Sequence, residues 1–76
     1  MNQNVGDKIR FYRQRVGISQ QEVELQIDMA YGSLSRIETK RVLPRQGTIQ
    51  KIGNALNLNK KEMADLFGIN FFGEVK

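Results

Sequence analysis

Four basic side chains, Arg36, Lys40, Arg41 and Arg45, fall within ten positions with only Glu38 among them as an opposing charge. The chemistry such a cluster offers is the binding of phosphate, although a run of charge by itself equally fits a solvated face. The rest of the chain leans the same way. Twelve Lys and Arg exceed eight Asp and Glu, and residues 1–51 hold nine of the bases against five of the acids. Residues 52–76 are balanced at three and three. Catalytic chemistry has little to work with: there is no histidine and no cysteine, and no phosphate-binding loop or paired acidic motif appears. Glu22 and Glu24 are accounted for by a helix cap and a helix surface. The reading is therefore of a protein that is not an enzyme and needs no metal or cofactor.

The elements that must position the basic cluster are helices. Ser19 followed three residues later by Glu22 is a capping box, so a helix starts there, with Val23 and Ile27 one turn apart on one face. A break at Asp28, Met29 and Ala30 separates it from a second apolar pair, Leu34 and Ile37. Two helices joined by so short a turn cross steeply, which leaves the second on the outside, where it can enter a DNA major groove. Upstream, Asn4 caps a helix with Asp7 in its first turn, and Val5, Ile9, Tyr12 and Val16 form its inward face before Gly17 ends it. Downstream of a basic loop that contains the single proline, Pro44, a fourth helix turns Ile49, Ile52, Ala55 and Leu56 inward and stops near Asn57. Asn59 with Glu62 opens a fifth, with Met63, Leu66 and Phe67 as its apolar face and Gly68 at its end.

The fold expected is all-α: a compact five-helix domain over residues 1–68, followed by an apolar tail over residues 69–76. Phe11 and Leu25 lie far from the apolar faces of their own helices and should be exposed. With Ile69, Phe71 and Phe72 of the tail they make a candidate dimer or partner surface, the tail either folding over its own domain or, with the fifth helix, forming a two-fold dimer interface. No apolar run is long enough to cross a membrane and the N-terminus lacks the apolar core of a secretory signal, which makes the cytoplasm the expected location.

From about Val5 to Phe67 the chain resembles the lambda-repressor-like helix-turn-helix family, the group of Cro and phage repressors and xenobiotic-response-element type regulators. The matching residues are Ile9 and Tyr12, then Gly17, Ile18, Ser19 and Gln20 entering the second helix. Leu34, Ser35, Arg36, Ile37 and Glu38 match in the third helix, and Ala55, Leu56, Asn57 and Leu58 close the fourth. The resemblance implies a recognition helix that starts at Ala30 and ends at Thr39 and lies in the major groove. It implies that Tyr31, Gly32 and Ser33 meet base edges, and that Arg36, one turn on, reaches either a guanine or a phosphate. Gln20, Ser35, Lys40, Arg41 and Arg45 are the implied phosphate contacts. Gly32 would let the backbone approach the duplex, at a cost in helix stability of roughly 1 kcal/mol relative to alanine. Arg13 and Glu38 match a structural ion pair between the first and third helices.

The chain departs from the family pattern at several positions. Glu24 stands in place of a packed alanine, to be turned toward solvent or matched with a base. Asp28 replaces the turn glycine, Ala30 a capping serine, and Arg45 another, with Thr48 as the substitute cap of the fourth helix. The function implied is sequence-specific binding to double-stranded DNA by a transcriptional regulator, a repressor acting as a homodimer, with no membrane or small-molecule ligand evident. The alternative is an interaction module of the same fold that binds another regulator through Phe11, Leu25 and the tail.

Overall fold

Helix starts follow the cap residues closely. The computed structural model describes residues 4–68 and places α1 at Val5–Val16, α2 at Gln20–Gln26, α3 at Ser33–Glu38, α4 at Gln46–Ala55 and α5 at Lys60–Phe67. The Asn4 side chain accepts the Asp7 N–H, and Ser19 with Glu22 and Asn59 with Glu62 both form complete capping boxes. Gly17 and Gly68 end α1 and α5 in the left-handed conformation, and Asp28 and Asn57 adopt positive φ at the ends of α2 and α4. Thr48 does not cap α4. That helix starts at Gln46 behind Arg45, which makes no side-chain capping bond, so Thr48 already lies inside its first turn.

All five helices contribute to one core. Ile9 and Tyr12 from α1, Val23 from α2, Leu34 and Ile37 from α3, Ile49, Ile52 and Leu56 from α4 and its end, and Leu66 from α5 form a single buried cluster. α1 packs on α3 and α5, α2 on α3 and α4, and α4 on α5. Val16 was expected inward and is 49% exposed, because the last turn of α1 runs past the edge of the cluster. Phe11 and Leu25 are exposed, at 54% and 82%, as their angular positions require.

Two contacts fix α1 against its neighbours. A Cβ added at Gly6 would overlap the carbonyl oxygen of Ile37 and touch Glu38 Cα, so glycine is what lets α1 approach the end of α3 so closely. On its other side α1 is clasped to α5. Lys8 Nζ donates to the Asp65 carbonyl at 2.8 Å and Tyr12 Oη to Asp65 Oδ2 at 2.7 Å, while Arg15 pairs with Glu62 and lies over the Tyr12 ring. Burial, the bond to Asp65 and its charge push the Tyr12 hydroxyl up to about 12.

The glycines give a paired prediction. Gly6→Ala lowers stability by about 1–3 kcal/mol, since backbone must move. Gly47→Ala, on α4 with nothing within 4 Å, raises it by about 0.4–1 kcal/mol. Urea denaturation measures both, and equal effects would show that α1 and α3 are not in tight contact. Tyr12 gives a second. Its pKa is raised in the folded state, so its contribution is complete below pH 10 and is lost as pH rises toward about 12. Tyr12→Phe should remove that part of the alkaline loss, and identical alkaline profiles for the two proteins would contradict it.

Candidate nucleic-acid interface

The turn between α2 and α3 is closed by backbone. Met29 N–H donates to the Glu24 carbonyl at 2.8 Å and Ser33 N–H to the Ala30 carbonyl at 3.0 Å, with Asp28 at φ 61° and Gly32 at φ 85°. α3 therefore begins at Ser33 and is shorter than the helix expected to start at Ala30 and end at Thr39. Tyr31 and Gly32 precede the helix. Tyr31 stands 78% exposed on the turn, and Gly32 is the N-cap residue. The role expected for Gly32 changes accordingly: its left-handed conformation favours glycine over alanine, and it carries no interior-helix penalty.

Both ends of α3 are held by carboxylates. At its start Glu24, expected to face solvent or a base, is only 4% exposed, and its Oε2 accepts the Leu34 N–H at 2.9 Å. The bond supplies the cap that Gly32 cannot, and the negative charge suits the positive end of the helix. At its end Glu38 is buried. Arg13 donates from Nε to Glu38 Oε2 at 2.7 Å and from Nη2 to Oε1 at 3.1 Å, and its Nη1 donates to the Ile18 carbonyl at 3.0 Å. Gln20 Nε2 completes the group by donating to Glu38 Oε1 at 3.0 Å. Gln20 thus presents its remaining amide atoms while one N–H is already engaged.

The outward face carries the cations. Ser33, Arg36, Arg45 and Thr48 line one shallow groove together with Val42 and Leu43 of the loop after α3. Arg36, Arg41 and Arg45 are exposed and, among the described residues, form no ion pair. Lys40 differs from them. Its Nζ lies 3.4 Å from Asp7, which also accepts from Arg10 at 3.1 Å, so its charge already has a partner within the fold. Ser35 is half-buried, and its carbonyl accepts from the Thr39 backbone and hydroxyl. Phe11 packs edge-on against Tyr12, and Leu25 lies exposed beside Tyr31, Gln21 and Met29. Ile69, Phe71 and Phe72 lie outside the described residues.

Sequence reasoning missed three participants. Leu43, 84% exposed on the groove wall, gave no helical period to read. Gly6 matters only once α3 lies beside it. Glu24 did leave a signal, as a charge at a position where the helix face turns inward.

Among the described residues no cluster of acids suited to a metal ion occurs, and no helix is long and apolar enough to cross a membrane. A family model described as helix-turn-helix, of the lambda-repressor, Cro and xenobiotic-response-element type, matches residues 9–63. The match is well over half of the chain and takes in α2, α3 and α4 whole. No curated protein matches it.

The Arg13 and Glu38 geometry predicts strong coupling. Arg13→Met and Glu38→Met should each cost about 3 kcal/mol, because each leaves a buried partner unpaired, and the double variant should cost much less than the sum. Additive losses in urea denaturation would mean that the two side chains act separately.

Proposed function

We propose, from the premise that this chain belongs to the helix-turn-helix family matched over residues 9–63, that it is a transcriptional repressor which binds specific double-stranded DNA as a homodimer in the cytoplasm. The family is one of DNA-binding regulators rather than enzymes. The observation that carries the reading is the groove that brings Ser33 and Arg36 of α3 together with Arg45 and Leu43. One wall is a helix end fixed by the core. The other is a basic loop of the kind that meets phosphate while the helix meets base edges.

The residues divide into roles on that reading. Tyr31, Gly32, Ser33 and Arg36 face base edges, Arg36 being able to take either a guanine or a phosphate. Gln20, Ser35, Lys40, Arg41 and Arg45 meet the backbone. Arg41 and Arg45 do so at once and Lys40 after exchange from Asp7. Exposed Phe11 and Leu25 support a self-association surface, which a domain this small needs because a single copy reads few base pairs. Repression requires nothing further, since a dimer seated on a promoter occludes it.

Selection of bound duplexes from a random pool tests the reading. A palindromic consensus is expected, with half-sites about one helical turn apart. Arg36→Ala should then cost about 1–3 kcal/mol on that duplex, and Arg45→Ala should weaken all duplexes alike while reducing the salt slope by about 1. Failure to enrich any sequence, or binding that is insensitive to salt, refutes it. A species that stays monomeric in sedimentation with and without the duplex refutes the dimer alone.

A further inference from the structure

Glu24 is a buried acid with no cation beside it: among the described residues it takes part in no ion pair, and its one side-chain bond is to the Leu34 N–H. Burial of such a group is unfavourable unless its hydrogen bonds are good. Three of the other helices are capped by their own N-cap side chains, Asn4, Ser19 and Asn59, whereas α3 starts behind Gly32 and takes its cap from α2. A helix of six residues does not hold its own shape in water, so its first turn is set by what binds its free amides. Ser33 N–H goes to Ala30 and Leu34 N–H to Glu24, while the Leu34 side chain is fully buried.

We propose that Glu24 is the positioning residue of DNA reading in this chain. By holding the Leu34 amide it sets the tilt and rotation of the leading turn of α3, and with them the directions in which Ser33 and Arg36 leave the helix. The proposal rests on the DNA-binding reading above. It separates two properties that the interface combines. Phosphate attraction by Arg36, Arg41 and Arg45 tolerates a small shift of the helix, because charge acts at a distance. Bidentate bonds to base edges do not tolerate it, because they require both donors in place. Glu24 therefore governs the preference among duplexes, and leaves the general attraction to DNA intact.

The test uses the whole chain and two variants. Nuclear magnetic resonance of the unaltered protein should show scalar coupling across the bond between the Leu34 amide nitrogen and the Glu24 carboxyl carbon. E24Q keeps an acceptor oxygen, whereas E24M fills the same space without one. In E24M the Leu34 amide should exchange roughly tenfold faster or more, and the ratio of affinity for the selected duplex over a scrambled one should fall roughly tenfold, with the scrambled duplex bound as before. E24Q should retain the ratio. A purely stabilising role would leave the ratio unchanged in every folded variant.

Full discrimination by E24M, or a loss in E24Q equal to that in E24M, overturns the proposal, as does absence of the coupling in the unaltered protein. If E24M does not fold, E24D takes its place. It withdraws the oxygens by one methylene and should lower the ratio, and full discrimination by it would overturn the proposal too. An unaltered protein that prefers no duplex refutes the regulator reading itself, and the positioning role with it. Discrimination kept by the variant refutes the positioning role alone.

Discussion

The carboxylate of Glu38 accepts two hydrogen bonds from Arg13 and one from Gln20, and through it α1, α2 and α3 are tied at one point. Electrostatically the position is unfavourable, since a negative charge sits in the last turn of a helix whose carbonyl end is already negative. The Arg13 guanidinium reverses that balance by meeting both oxygens, and its third donor reaches the Ile18 carbonyl just before α2. The absence of a side chain at Gly6 lets the backbones of α1 and α3 close to the distance at which this pairing is made. Removing either feature would free the far end of α3, and the apolar contacts of Leu34 and Ile37 would be left to set its direction. Apolar contacts hold a helix down better than they hold it at one angle.

The formal charge of the chain understates how unevenly it is used. Lys8, Arg10, Arg13, Arg15 and Lys40 are paired with Asp7, Glu38, Glu62 and Asp65. Glu22 and Glu24 serve as helix caps. Arg15 and the Asn59 amide hold the Glu62 carboxyl below its ordinary value, so that pairing persists as the medium turns mildly acidic and fades only at lower pH. Among the described residues every acid but Asp28 therefore has a structural partner, and the cations left without an ion pair are Arg36, Arg41 and Arg45 together with Lys51 of α4 and Lys60 and Lys61 of α5. Of these, Arg36, Arg41 and Arg45 fall on and just after α3, where their charge acts over about a Debye length on an approaching polyanion.

What the sequence made legible follows from the range of the interactions concerned. Capping boxes span three residues, so Ser19 with Glu22 and Asn59 with Glu62 announce their helices without any knowledge of the fold. The exposure of Phe11 and Leu25 was legible because angle about one helix decides it. The start of α3 was not, because the turn hydrogen bond from Ser33 to Ala30 and the left-handed Gly32 delay it by a few residues. Val16 continued the periodicity of α1 beyond the point where there was still core to meet. Gly6 was illegible, and the partner of Glu24 could not be read from the charge that marked its position, for a different reason. Each acts on a segment ten or more positions away, and a packed alanine or a surface charge would have been as consistent with the local pattern. At the proposed interface the cationic residues could be read from composition, but the engagement of Lys40 by Asp7 and of Gln20 by Glu38 depends on helices meeting.

The buried pair of Arg13 and Glu38 poses a question that stability does not answer. An ion pair of this kind is often replaceable by well-packed apolar side chains with no loss of stability. A small domain would therefore be expected to fill both of its positions with hydrocarbon if holding together were the only demand. What hydrocarbon does not supply is direction, because a hydrogen bond loses its strength over a few tens of degrees whereas an apolar contact changes little. Glu24 ties the first turn of α3 to α2 through a bond of 2.9 Å, and Glu38 ties its last turn to α1 and α2 through bonds of 2.7–3.1 Å. A rod fixed at both ends by directional bonds keeps one tilt and one rotation. That property is of little use to a surface that only attracts phosphate, and it is what a surface that compares base edges requires.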